Sequence, residues 1–168
     1  MRKNKKSILT RSVAVSAVLV GALLVLDQLT KFWVAGSMEL YERKTVIDNF
    51  FWIYYIQNTG AGFSMFEDMG IVFFSVLTIG ALALLVWYFI KVKSEFTRFS
   101  LALIFAGALG NYIDRLVFGY VRDFLSFNLF GWHFPVFNVA DICISVGFVL
   151  LVIYYIYDER KHPNAETV

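Results

Sequence analysis

Four stretches of the chain are apolar for long enough to cross a bilayer, which takes roughly 20 such residues in a helix. They run over 13–34, 70–90, 99–118 and 137–157. Between the first two, TVIDNFFWIYYIQNTGAGF changes character: it is rich in β-branched and aromatic residues and closes on a Gly-rich turn. That is the pattern of short strands. The chain therefore predicts an all-α membrane protein, four transmembrane helices with a small extracytoplasmic β-rich cradle. One domain over 1–168 is expected, with outer segments near 36–69 and 119–136. The first apolar run follows Arg2, Lys3, Lys5, Lys6 and Arg11, as a secretory leader would. A leader's core is only about 7–15 residues and ends at small residues. This run is longer and carries Asp27 and Lys31 near its far end, so it reads as a retained helix.

Composition agrees. The chain is 59% hydrophobic and 17% charged, whereas a soluble domain is about half apolar and about a quarter charged. A net charge of +2 is too small for a polyanion-binding surface. The single cysteine, Cys143, excludes an internal disulfide and a Cys-based zinc site and reads as a small buried apolar residue. His133 and His162 are the only histidines, which leaves little for a metal site or a His-dependent hydrolase. Ser126 and Ser145 lack the Lys or His partner that an activated serine needs.

Charge sets the orientation. The N-terminal tail holds five basic residues and no acidic one, and KVKSEFTR holds three basic and one acidic. The segment between the first two spans carries Glu39, Glu42, Asp48, Glu67 and Asp68 against Arg43 and Lys44. Basic loops stay in the cytoplasm, so both termini are expected there, and the other two segments outside. Trp33, Trp52, Tyr54, Tyr55 and Trp132 suit the headgroup zone.

Polar residues inside the spans gather at one depth. At about 1.5 Å per helical residue, Asp27 lies about 21 Å along the first span, and Asn111, Asp114 and Arg115 about 18–24 Å along the third. Asp141 is about 6 Å below the outer end of the fourth, and Asp123 falls in the outer loop just above. Each has a structural reading. Asp27 and Lys31 are spaced as a helical ion pair. Asn111, Asp114 and Arg115 share a helical face, where Asp114 and Arg115, or either with a neighbouring helix, form a buried pair. Asn138 and Asp141 have the N-cap and N3 spacing of a capping box. Asp123, beside Arg122, reads as a solvated loop charge, and Gly60, Gly62, Gly107 and Gly110 read as turn or close-packing residues. Separate structural charges need not share a depth, however. Carboxylates are costly in a membrane and usually functional there, and two that meet suggest acid–base chemistry. An ion-coupled transporter and a non-enzymatic scaffold are the rival classes. The polar layer does not continue to the cytoplasmic side and no inverted repeat is visible, which counts against transport.

The motifs resemble those of the bacterial lipoprotein signal peptidase family, signal peptidase II. They are DQLTK at 27–31, NTGAGF at 58–63, GALGNYIDR at 107–115, GYVRDFLSF at 119–127 and FNVAD at 137–141. Gly62, where the family often has Ala, and Ala106, where a second Gly is common, are small departures. The resemblance implies an intramembrane aspartic endopeptidase that removes the signal peptide from diacylglyceryl-modified prolipoproteins, cleaving just before the lipidated cysteine. It implies that Asp123 and Asp141 are catalytic, that Asn58, Gly60, Asn111, Arg115 and Asn138 line or support the site, and that Asp27, Lys31 and Asp114 are structural. No cofactor or metal is expected. The expected partners are lipid-modified prolipoproteins and membrane lipids, without nucleic acid, and the protein itself is expected to be a monomer in the bacterial plasma membrane with both termini cytoplasmic and its site near the outer leaflet.

Overall fold

The computed structural model describes residues 2–60 and 70–161. Gly62, Phe63, Glu67, Asp68 and His162 lie outside the described residues. Among the described residues there are four helices: α1 (Arg2–Ser37), α2 (Gly70–Lys91), α3 (Glu95–Phe118) and α4 (Val139–Lys161). Each contains a window long and apolar enough to cross a membrane. Four strands accompany them: β1 (Arg43–Ile47), β2 (Phe51–Asn58), β3 (Val121–Leu129) and β4 (Trp132–His133). They form one sheet in the order β1-β2-β3-β4, all antiparallel. The strands extend beyond the aromatic-rich segment: residues 119–136, read from sequence as a loop, contribute β3 and β4.

Local chemistry sets the helix ends. Ser94 caps α3 by accepting from the Thr97 N–H at 3.2 Å, so the helix starts four residues before Phe99. KVKSEFTR is therefore mostly helical, and only Val92, Lys93 and Ser94 separate α2 from α3. Arg98 ties this corner together. It donates to the Val92 carbonyl at 2.7 Å and the Phe89 carbonyl at 3.4 Å, both at the end of α2, and to Glu95 at 2.8 Å. These carbonyls have no helical partner of their own. At its other end α3 stops on Gly119, whose φ of 81° is the left-handed conformation that glycine adopts without penalty. The chain then turns directly into β3.

The interior is polar where a soluble protein's would be apolar. Lys31, Asn138, Asp27, Asp114 and Asp123 are among the largest fully buried side chains, whereas Val18, Phe32, Val72 and Val76 face outward. Lipid accepts that exterior, and the helices satisfy their own backbones. Close packing inside depends on small residues. A Cβ on Gly107 would lie 2.2 Å from the Ala140 carbonyl oxygen, and one on Gly147 2.7 Å from that of Ser100. α3 and α4 thus meet backbone to backbone. The sheet packs on α1 through Val34, Met38, Tyr55 and Phe124. Trp33 and Trp132 are exposed, as an interfacial role requires, but Trp52 and Tyr55 are buried, with the Arg43 guanidinium 3.9 Å from the Trp52 ring centroid.

Candidate active site

Two pieces of backbone bring β3 and α4 together. Phe137 accepts from the N–H groups of Phe124 and Leu125 at 3.0 and 2.8 Å and donates to Leu125 at 3.1 Å. Residue 138 is therefore pinned beside the start of β3. Asn138 then opens α4: its side-chain oxygen accepts from the Asp141 N–H at 3.1 Å, and the Asp141 carboxylate accepts from the Asn138 N–H at 3.1 Å. This is the reciprocal capping box expected from the spacing.

The same asparagine reaches Asp123, donating from Nδ2 to Oδ1 at 2.6 Å. The second oxygen of Asp123 accepts from Asn58 Nδ2 at 2.9 Å. A bulge in β2 makes that contact: Ile53 pairs with Leu125 but Ile56 with Asp123, three steps against two. Beyond the bulge Asn58 lies on the face of Asp123, two residues along. Asp141 receives its other donor from Asn111 Nδ2 at 2.8 Å. Each carboxylate thus takes two N–H donors, and one residue, Asn138, touches both.

Asp123 is not the solvated loop charge that its neighbour Arg122 suggests. Both are buried, on opposite sides of β3. Burial pushes the Asp123 carboxyl up to about 7, and the facing charge of Asp141 adds to this against the donors Asn58 and Asn138 and the Lys31 charge. A carboxyl with that value holds or releases a proton near neutrality, as acid–base chemistry needs.

The remaining polar residues divide into two groups. Asp27 and Lys31 form the expected pair, Nζ to Oδ2 at 2.9 Å, but deep in the protein rather than at a helix end. The other Asp27 oxygen accepts from the Ala140 N–H at 3.0 Å, in the first turn of α4. Asp114 does not pair with Arg115. It takes the Arg122 guanidinium at 2.7 and 3.0 Å and the Arg122 N–H at 3.0 Å, with Lys31 at 3.7 Å. Successive helical residues point about 100° apart, so Asp114 turns toward α1 and β3 while Arg115 turns toward α2. Arg115 donates to the Gly60 carbonyl at 2.7 Å and lies 4.9 Å from the Phe74 ring centroid. Gly60 in turn donates to Asn58 Oδ1 at 3.0 Å. Gly110 leaves room for Asp27, whose Oδ2 would lie 2.7 Å from an added Cβ.

Sequence reasoning passed over one member of this network, Gln28, and read another, Arg122, only as the neighbour of Asp123. Gln28 donates to Asp27 at 3.0 Å and Asp114 at 3.2 Å and accepts from Arg122 at 3.0 Å. A glutamine inside an apolar run, next to Asp27, was the available signal.

The carboxylates open onto a cavity of about 650 Å³ between α2, α3 and α4. Its floor is Asn58, Asn111, Arg115, Asp123 and Asp141, and its walls include Phe74, Leu77, Phe137, Ile142 and Val146. A polar floor under apolar walls fits a peptide bond carried by a lipid-bearing residue.

The family model described as Signal peptidase (SPase) II matches residues 19–157. A lipoprotein signal peptidase of Geobacter sulfurreducens is 43% identical over 150 residues, covering 87% of this chain and 93% of that protein. One from Staphylococcus aureus is 34% identical over 165 residues, covering 97% and 98%. A solved bacterial membrane enzyme superposes with a TM-score of 0.84 at 34% identity, covering 93% of this chain and 96% of that one. A second superposes at 0.78 with 36% identity, covering 85% and 93%.

Proposed function

Because the chain belongs to the signal peptidase II family, whose aspartic endopeptidases remove the signal peptide from prolipoproteins just before the lipidated cysteine, we propose that Asp123 and Asp141 are its catalytic pair. The observation that carries this is Asn138, which donates from its side chain to one carboxylate and from its backbone to the other. Family membership also removes the transporter and scaffold readings.

Two facing carboxylates cannot both ionise cheaply, so the pair holds one proton. Asp141 sits in the first turn of α4, a helix N-terminus that favours its ionised form, and accepts from the Asn138 N–H and from Asn111 Nδ2. The proton is therefore placed on Asp123, and Asp141 begins as the base. Asp141 takes a proton from a water between the two, and the water oxygen attacks the scissile carbonyl carbon. Asp123 gives its proton to the carbonyl oxygen, forming a neutral gem-diol. Asp141 then protonates the amine nitrogen, Asp123 recovers a proton from the gem-diol, and the C–N bond breaks. Both carboxyls end as they began. Arg115 has a buried Nε with no partner among the described residues, and it holds a substrate backbone carbonyl. The apolar walls take the diacylglyceryl chains, where each buried CH₂ is worth about 0.8 kcal/mol. The working unit in this reading is a monomer, with the site near the outer leaflet, where the positive-inside loops would set it.

Cleavage of a lipidated prolipoprotein peptide by purified enzyme tests the pair. Asp123→Asn and Asp141→Asn each abolish cleavage while the protein remains folded in detergent. Turnover by either variant overturns the assignment.

A further inference from the structure

Lys31 is the largest of the fully buried side chains, and balancing the charge of Asp27 accounts for only one of its contacts. Asp114 is already held by two nitrogens of the Arg122 side chain, while Asp27 takes Lys31 as its cation beside the neutral donors Gln28 and the Ala140 N–H. The contact that distinguishes Lys31 is with Asn111, Nζ to Oδ1 at 3.0 Å.

An asparagine amide has two orientations of nearly the same shape, one presenting oxygen where the other presents NH₂. A lysine ammonium has three donors and no acceptor, so it admits only the oxygen. Asn138 Nδ2 donates to that same oxygen at 3.0 Å. Turning the Asn111 amide over would set its NH₂ against an ammonium and another NH₂ and its oxygen against a carboxylate. With the amide held, Asn111 Nδ2 meets Asp141 at 2.8 Å. Asn138 is held likewise, its oxygen on the Asp141 N–H and its Nδ2 on Asn111 and on Asp123. We propose that Lys31 is a positioning residue for peptide cleavage: by fixing the Asn111 amide, it aims one side-chain donor at each of the two reacting carboxylates. This rests on Asp123 and Asp141 being the catalytic pair.

The test removes the buried charge pair together, in the variant Lys31→Met with Asp27→Asn, so that no lone ion remains in the core. Its melting and cleavage are compared with wild type, alone and on an Asn111→Ala background. The expected result is a cooperatively folded enzyme with kcat lowered about 100-fold, the scale of one lost preorganised donor, and KM unchanged. On the Asn111→Ala background the same change has little further effect, because residues acting through one network are not additive. Wild-type kcat in the folded variant, or an equal loss on both backgrounds, overturns the proposal. Should that variant fail to fold, Asn111→Asp decides. It keeps an oxygen for Lys31 but sets an acceptor against Asp141, so a folded protein with kcat down about 100-fold is expected, and wild-type kcat overturns the proposal. Asp123→Asn and Asp141→Asn run in the same assay separate the two levels. If both are inactive while the Lys31 variant is normal, only the Lys31 role falls; if either is active, the pair falls and the role with it.

Discussion

Asp123 carries a pH signature of its own. Its folded-state value of about 7 lies above its ordinary 3.8, so the native protein holds this proton where the unfolded chain has released it. Two outcomes follow. The kcat/KM for cleavage falls as pH rises through about 7, tenfold per pH unit once the single-proton form of the pair is lost; a profile flat from pH 6 to pH 9 would contradict this. Stability behaves in the same sense. Between 3.8 and about 7 this group makes the wild type less stable as pH rises, and above that its contribution is level. Asp123→Asn lacks the group. Its melting temperature relative to wild type is therefore expected to climb from pH 4 to pH 7 and then level off, although the variant is inactive. A pH-independent difference would mean that Asp123 titrates normally.

At the scale of elements, the geometry of α4 depends on how closely it approaches α3. Gly107 touches the Ala140 carbonyl, one residue before Asp141. Gly107→Ala therefore pushes the first turn of α4 away, at a cost of about 1–3 kcal/mol for overpacking, and draws Asp141 off its donors. Both melting temperature and kcat are expected to fall. Gly80 in α2 has nothing within 4 Å of an added Cβ. Gly80→Ala is the control, neutral or slightly stabilising through helix propensity. Equal effects of the two substitutions would show that α3–α4 contact does not position the site. The capping box at Asn138 and Asp141 was legible from spacing, because an N-cap bond is local. The partners of Asp114 and Arg115 were not: adjacent charges on a helix diverge, and β3 supplies Arg122 from a different part of the fold.

For the whole molecule, the charge pattern sets orientation and the lipid-facing surface sets location. The four apolar helices support a multi-pass membrane protein, and the proposed orientation, with both termini in the cytoplasm, rests on the basic loops. Thr45→Cys, on exposed β1, is expected to react with an impermeant maleimide in intact cells. Lys93→Cys, between α2 and α3, should react only after the membrane is opened. The reverse pattern would invert the topology. Acid–base cleavage by two carboxyls requires no further group, so a chelator is expected to leave the cleavage rate unchanged; loss of activity restored by added metal would refute the two-carboxyl mechanism.

Spacing along the chain was enough for the number of spans, the gathering of the polar residues, the Asp27–Lys31 pair and the cap on α4. Each is a matter of distance along one chain segment, and a bilayer enforces length and hydrophobicity directly. Long-range packing was needed to make strands of 119–136, to bury Asp123, to bring Arg122 to Asp114 and to set Asn138 between the two carboxylates. Those outcomes depend on which distant donor meets which acceptor. Burial in a low-dielectric interior makes such meetings energetically decisive, and no local spacing records them.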